Sequence, residues 1–203
     1  MAIPDQTITP RLLESAKSEF LNMGFEAASI NVICKNANIT TGALYKRFST
    51  KEQLFNSLVE KPAEQLRNRL EGENEAYHKL SKREQLNRAF SNWYEDKTFI
   101  GFIYEFKDEF MLILKCATGT KYESYFDELA DIITHSTIKF IKNVYINNLE
   151  TSISNDLVHI LVSSYIKGIL ESLMHNMSLE EAKVYESYLK RFFLVGWKDL
   201  LKI

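Results

Sequence analysis

Residues 29–48, SINVICKNANITTGALYKRF, read as two short helices joined by a tight turn. Ser29 suits an N-cap, with a hydroxyl that can accept a hydrogen bond from a first-turn N–H, and Ile30, Ile33 and Ala37 follow at helical spacing. Asn38 interrupts that spacing, and Asn is the non-glycine residue that best tolerates a left-handed backbone. Ile39 is an apolar plug, Thr40 caps again, and Leu44 and Phe48 stand four apart on one face, as structural residues. Thr41, Gly42, Tyr45 and Lys46 are left facing away from the core. A helix-turn-helix presents its second helix to the major groove of DNA in this way, so the motif is placed at 31–50.

Working outward, Thr9-Pro10 is a cap followed by proline at the first helical position. Leu12, Leu13, Ala16, Phe20 and Met23 mark one apolar face, and Gly24 ends the helix. After the motif, Thr50-Lys51-Glu52-Gln53 fits a capping box and opens a longer helix through Leu54, Phe55 and Leu58. The first 55 residues thus form a three-helix head, followed by a body over 56–203.

This order of signals resembles the TetR family of bacterial transcriptional regulators. The resemblance covers about residues 8–58 and rests on NMGFEAASI (22–30), ICKNANIT (33–40), TTGALYKRF (40–48) and STKEQLF (49–55). Two positions depart from the usual pattern: Asn38 stands where the family mostly has glycine, and Cys34 where it mostly has alanine. The resemblance implies a repressor that binds double-stranded DNA as a homodimer and answers to a small molecule. The DNA-binding residues expected are Ser29, Thr40, Thr41, Gly42, Ala43, Tyr45, Lys46, Arg47 and Lys51. Among them Lys46 mixes base and phosphate contact, and Lys51 contacts phosphate alone.

The net charge of −2 hides a local asymmetry. Residues 1–55 carry six Lys and Arg against five acids, whereas 56–203 carry nineteen against twenty-two. Within 41–51 the charges are Lys46, Arg47 and Lys51, with no acid. A short basic patch on the second motif helix suits a duplex reader of limited footprint and not a general polyanion binder. Cys34 and Cys116 lie far apart in apolar helical patterns, as buried thiols of a cytoplasmic protein do. No Cys/His cluster has metal-ligand spacing, no cofactor motif is present, and no run of about 18 apolar residues suggests a membrane span.

The body also reads helical, giving an all-α chain of about nine helices. Ser81 with Glu84 opens one helix, Phe99–Cys116 forms a central helix or a bent pair near Lys107-Asp108, and Tyr122–Asn147 follows. Asn155–Met174 and Leu179–Leu201 close the chain, the last capped by Ser178 with Glu181. These two carry more apolar surface than one domain edge needs, and small residues Ser164, Gly168 and Gly196 permit a close crossing. The resemblance makes them a four-helix interface with a second copy, over about 155–201. Aromatic residues with polar tips crowd the middle helices, and an effector pocket is expected among Phe90, Trp93, Tyr94, Tyr104, Phe110, Tyr122, Tyr125, Phe126 and Tyr165. No Lys or Arg cluster interrupts those faces, which favours an uncharged aromatic or lipophilic effector, while Glu105, Glu109 and Glu171 leave a cationic one open. Two other functions compete: a DNA-binding dimer without effector, and an all-helical enzyme. The enzyme lacks any nucleophile–base pair or phosphate-cradling loop, so none is expected.

Overall fold

The computed structural model describes residues 7–91, 99–144 and 153–202. Among the described residues there are ten helices and no strand: α1 (Ile8–Ala27), α2 (Ile30–Asn36), α3 (Thr41–Tyr45), α4 (Lys51–His78), α5 (Lys82–Ser91), α6 (Phe99–Glu105), α7 (Lys107–Cys116), α8 (Tyr125–Val144), α9 (Asn155–Met174) and α10 (Leu179–Leu201). The central segment is the bent pair, α6 and α7 parting at Phe106, whose backbone (φ −120, ψ 44) is not helical.

The chain forms two compact units. The described residues up to Gln65 join Phe106–Tyr125, and Leu66–Glu105 joins the described residues from Phe126 onward. This packing does not follow a single cut near residue 55, because α7 lies along α1 and its Asp108 accepts from Lys17 Nζ at 3.1 Å.

In the first unit Leu12, Ala16, Phe20, Ile33, Leu44, Leu54 and Phe55 are fully buried. Each of the larger ones contributes about 1.5–3 kcal/mol by leaving water. The rings of Phe20 and Phe25 meet Phe55 edge-on, with centroids 5.2 and 5.4 Å away. The turn between α2 and α3 is made as its residues demand. Ser29 Oγ accepts from Val32 N, Asn38 adopts φ 54, and Thr40 Oγ1 accepts from Ala43 N at 3.1 Å. Gly24 breaks the regular helix at φ 76, and one further turn reaches Ala27.

Three local expectations need correction. α1 begins at Ile8 behind Thr7, so Thr9 is not its cap, and the Thr9 hydroxyl instead accepts from Arg47 Nε at 3.2 Å. Met23 falls off the inner face and is 55% exposed. At the start of α4, Thr50 Oγ1 accepts from Gln53 N at 3.0 Å, but the Gln53 carbonyl returns to Ser49 N at 2.8 Å, one residue earlier than a capping box requires. α4 runs to His78, with Arg69 and Glu73 paired at 2.8 Å along it.

In the second unit α9 and α10 are joined by a turn in which Asn176 is left-handed (φ 52). Ser178 and Glu181 form the capping box of α10, and Ser154 caps α9. The helices touch at Gly168, where an added Cβ would lie 2.9 Å from Leu189 Cδ2, and Tyr185 donates its hydroxyl to the Gly168 carbonyl at 3.0 Å. α6 lies on α10: Ile100, Ile169 and Ala182 form a small buried cluster, and the Tyr104 hydroxyl donates to Met177 O at 3.1 Å. α9 is long and apolar enough to cross a membrane, with a mean hydropathy of 1.4. Its buried Val158, Val162, Ile166, Ile169, Leu170 and Leu173 account for that apolarity by packing within the unit.

Candidate functional site

α3 is short, and its inner side is fixed by Leu44, which is fully buried. Thr40, Thr41, Gly42, Tyr45 and Lys46 lie exposed around it, with Tyr45 51% exposed. Gly42 leaves its surroundings open: a Cβ there would meet only Thr40 Oγ1, at 3.9 Å. An aromatic hydroxyl, an ammonium group and two threonine hydroxyls therefore share one surface with a bare stretch of backbone. Such a surface can offer donors to phosphate and base edges while the main chain comes close.

The remaining residues expected to touch DNA are engaged within the protein. Ser29 donates its N–H to Glu19 Oε1 at 3.0 Å while its hydroxyl caps α2. Ala43 is half-buried. Arg47 donates to Thr9 Oγ1 and, at 2.9 Å, to Ala43 O, so it clips α3 to the start of α1. Lys51 Nζ donates to Glu26 O at 2.9 Å and Ala28 O at 3.2 Å, and lies 4.9 Å from the centre of the Phe25 ring. The lysine thus satisfies carbonyls left open at the end of α1, a cation where the helix end is negative.

The second unit holds a cavity of about 430 Å³ walled by α4, α5, α8, α9 and α10. Phe90 and Tyr165, both expected, line it, together with Tyr77, Ile133, Phe140, Ile141, Leu161, Val162, Phe193, Trp197 and Leu201. Its polar rim is Glu73, Asn74, Ser136 and Thr137. Most of these groups are already satisfied: Glu73 holds Arg69, Ser136 meets His78 Nε2 at 2.9 Å, and Thr137 donates to Ile133 O at 2.9 Å. Burial pushes the Tyr77 phenol up to about 12 and the Tyr165 phenol higher, the latter helped by nearby Glu186, so both stay neutral. Among the described residues no Lys or Arg lines it, although Lys198 Nζ lies 5.8 Å from the centre of the Phe90 ring.

The other aromatics do not gather here. Phe110, Tyr122 and Tyr125 are buried in the first unit, where the Tyr125 hydroxyl donates to Ala63 O at 2.8 Å and its ring packs with the other two. Tyr104 serves the α6–α10 contact, and Phe126 is not among the lining residues. Trp93 and Tyr94 lie outside the described residues. Ile133, Phe140 and Ile141 were missed, although they share one face of α8 at helical spacing; a search restricted to aromatics with polar tips passes over them.

Outside the cavity, α9 and α10 expose a continuous apolar surface. Phe192 is 75% and Tyr188 67% exposed, with Ile160, Val184, Val195 and Leu200 nearby. A groove on this face is lined by Leu161, Tyr188, Arg191, Phe192, Phe193, Val195, Gly196, Trp197 and Leu200, so a single charged side chain stands among apolar ones. Lone exposed apolar residues are ordinary; here Tyr188, Phe192, Val195 and Leu200 line one groove together.

A short α3 with Leu44 buried beneath it and an exposed polar outer side, preceded by α2 and a tight turn, is the geometry of a helix-turn-helix motif. Residues 12–58 match the family described as bacterial regulatory proteins, tetR family. That segment is similar to the HTH-type transcriptional regulator UidR of Escherichia coli (strain K12), 37% identical over 54 residues, which is 27% of this chain and 28% of UidR. Beyond the head the likeness is one of fold. A transcriptional regulator (TerR/AcrR family) from Aquifex aeolicus VF5 is 21% identical over 91% of this chain and 99% of its own, with a TM-score of 0.55. A TetR-like transcriptional regulator from Rhodococcus sp. RHA1 is 18% identical over 98% of both chains, with a TM-score of 0.56.

Proposed function

We propose that this chain is a cytoplasmic transcriptional repressor that binds a palindromic operator as a homodimer and is regulated by a small lipophilic effector. The exposed α3 surface carries the reading: in a segment of TetR type, Tyr45 and Lys46 stand in solvent beside the bare backbone of Gly42 while Leu44 anchors them. Tyr45, Lys46, Thr40 and Thr41 supply the contacts, and Lys51 adds phosphate contact through the ammonium proton its two carbonyls leave over. One such helix reads few base pairs, so selectivity requires two heads about one duplex turn apart, roughly 34–36 Å. The apolar face of α9 and α10 supplies the pairing.

The effector occupies the cavity lined by Phe90 and Tyr165. The described lining is mostly aromatic and aliphatic, both phenols are neutral, and Lys198 Nζ is occupied over the Phe90 ring at 5.8 Å, so an uncharged aromatic or lipophilic molecule fits best. α4 carries Lys51 at one end and the cavity residues Asn74 and Tyr77 near the other, so a ligand that prefers one arrangement of the wall is felt along this helix. Coupling then equals the difference in ligand affinity between the DNA-bound and free forms.

Selection of random double-stranded DNA by the full chain tests the first part. Enrichment of near-palindromic sites is expected; recovery of unenriched sequence sinks the reading. For the second part, compounds that raise the melting temperature are titrated with and without the selected operator, and equal affinities exclude coupling.

A further inference from the structure

Asn74 and Ser136 belong to two hollows at once. They line the internal cavity of the second unit and also an open groove between α4 and α8. The apolar interior and the polar groove meet at these two side chains. On the groove side Glu71, Asn74, Glu75 and His78 recur along one side of α4, and Asp131, His135 and Lys139 stand four apart on α8. Ser136 is engaged by His78 Nε2 at 2.9 Å. Glu73 is held by Arg69, Tyr77 donates to Gln85 O at 3.0 Å, and Thr137 donates to Ile133 O. Asn74 is different: among the described residues its amide meets no hydrogen-bond partner, and it offers both N–H donors and a carbonyl acceptor. The Trp197 indole on α10 can only donate.

We propose that the effector is an elongated lipophilic alcohol or phenol, with its apolar body in the cavity and its hydroxyl read by Asn74 where cavity and groove meet. This rests on the reading that the cavity takes the effector. In an apolar pocket the few polar groups decide which end of a ligand goes where. A hydroxyl can donate to the Asn74 carbonyl and accept from its N–H together, whereas an ether can only accept. A ligand at this place displaces the water that serves the amide. An analogue that cannot replace that water leaves a half-buried polar group unpaired, so the site discriminates against it.

The groove argues against a charged head of either sign. It carries Glu71, Glu75 and Asp131 against Lys139, and burial together with Lys139 holds His78 below its usual range, so a carboxylate there meets mainly like charge. An ammonium fares little better. The three carboxylates are exposed, Glu75 already pairs with Lys79 and Asp131 with His159, and exposed pairs are weak in water.

The test uses the full chain and displacement of Nile red by four molecules with one hexyl tail: 4-hexylphenol, 4-hexylanisole, 4-hexylbenzoate and 4-hexylbenzylamine. The phenol should bind roughly tenfold tighter than the anisole, as a net hydrogen bond allows. It should also lead the benzoate and the amine by at least about tenfold, because both bring a charge into an apolar wall. Asn74→Leu, of similar size, should keep the anisole affinity within about twofold and bring the phenol down to it. If Asn74→Leu misfolds, Asn74→Ala gives the same comparison, and retained anisole binding reports an intact cavity. Phenol and anisole within about twofold in the wild type, or a preference that survives in Asn74→Leu, overturns the role of Asn74. A benzoate or an amine that matches the phenol overturns the hydroxyl: the first places the head at Lys198 beside the Phe90 ring, the second in the acidic groove. Nile red that does not bind, or that none of the four displaces, overturns the proposal together with the cavity reading.

Discussion

Tyr45 on α3 and Phe192 on α10 are both more than half exposed, yet their neighbours differ in kind. Beside Tyr45 stand Thr41, Gly42 and Lys46, and beneath it the buried Leu44. Beside Phe192 stand Tyr188, Val195 and Leu200, with Arg191 as the single charged neighbour in the groove. An aromatic ring in solvent does not announce its partner; the groups around it do. Hydroxyls, an ammonium and bare backbone suit a charged, hydrogen-bonding polymer, whereas aliphatic neighbours suit another apolar face.

The largest effect expected is on α10. Phe192→Asp places a carboxylate in the centre of the apolar patch and should weaken dimerisation at least ~100-fold, because loss of an aromatic anchor is joined by burial of an unpaired charge. A variant that still sediments as a dimer at micromolar concentration shows that this face is not the interface. Next in size, Leu44→Ala should cost about 2–5 kcal/mol by leaving a cavity in the first unit. The adjacent Tyr45→Ala should change stability by less than about 0.5 kcal/mol, as surface substitutions do, yet weaken operator binding. Equal loss of stability in both would erase the distinction between inner and outer α3.

A smaller effect separates the two lysines. Lys46→Ala should weaken operator binding and lower the salt slope by about one unit without altering stability. Lys51→Ala should lower the slope likewise and also cost about 1–2 kcal/mol, since the carbonyls of Glu26 and Ala28 lose their donor. A Lys51→Ala protein that is destabilised but keeps its salt slope assigns this lysine to the helix end alone.

The smallest effect concerns Glu186, buried on α10. Burial pushes its carboxyl above the usual range, only partly offset by Lys190 at 3.1 Å and the Ile100 N–H. Lys190 lies within ion-pair distance but is not aligned as a donor, leaving Glu186 Oε1 without a hydrogen bond. A carboxyl raised in the folded state contributes stability that is present below its unfolded pKa and lost as pH rises through the folded value. Glu186→Gln should therefore hold its melting temperature better than the wild type between weakly acidic and neutral pH. Parallel melting curves across that window count against the assignment.

What the sequence disclosed follows from how far each signal reaches. Caps and turns depend on a few adjacent residues, so Ser29, Asn38, Thr40 and Ser178 could be placed from their neighbours alone. The slip at Thr9 is of the same local kind: a cap was read where the helix had already begun. The cavity was only partly legible, because Phe90 and Phe110 look alike in sequence and differ in which unit buries them. Arg47 and Lys51 likewise read as free cations, and only folding brings Thr9, Ala43, Glu26 and Ala28 to them.

At Gly168 α10 comes close to α9, with Leu189 filling the space where a methyl group would be. Leu189 itself packs on the cluster of Ile100, Ile169 and Ala182 and has little room to yield. Alanine at Gly168 would therefore force the Leu189 side chain to move, within about 10 Å along α10 of Phe192 and Val195. The relief of the outer face is thus written in part by an atom that is missing from the inside. If the α9–α10 face pairs two copies as proposed, the choice of partner can be retuned at such a hidden position while every exposed residue stays the same.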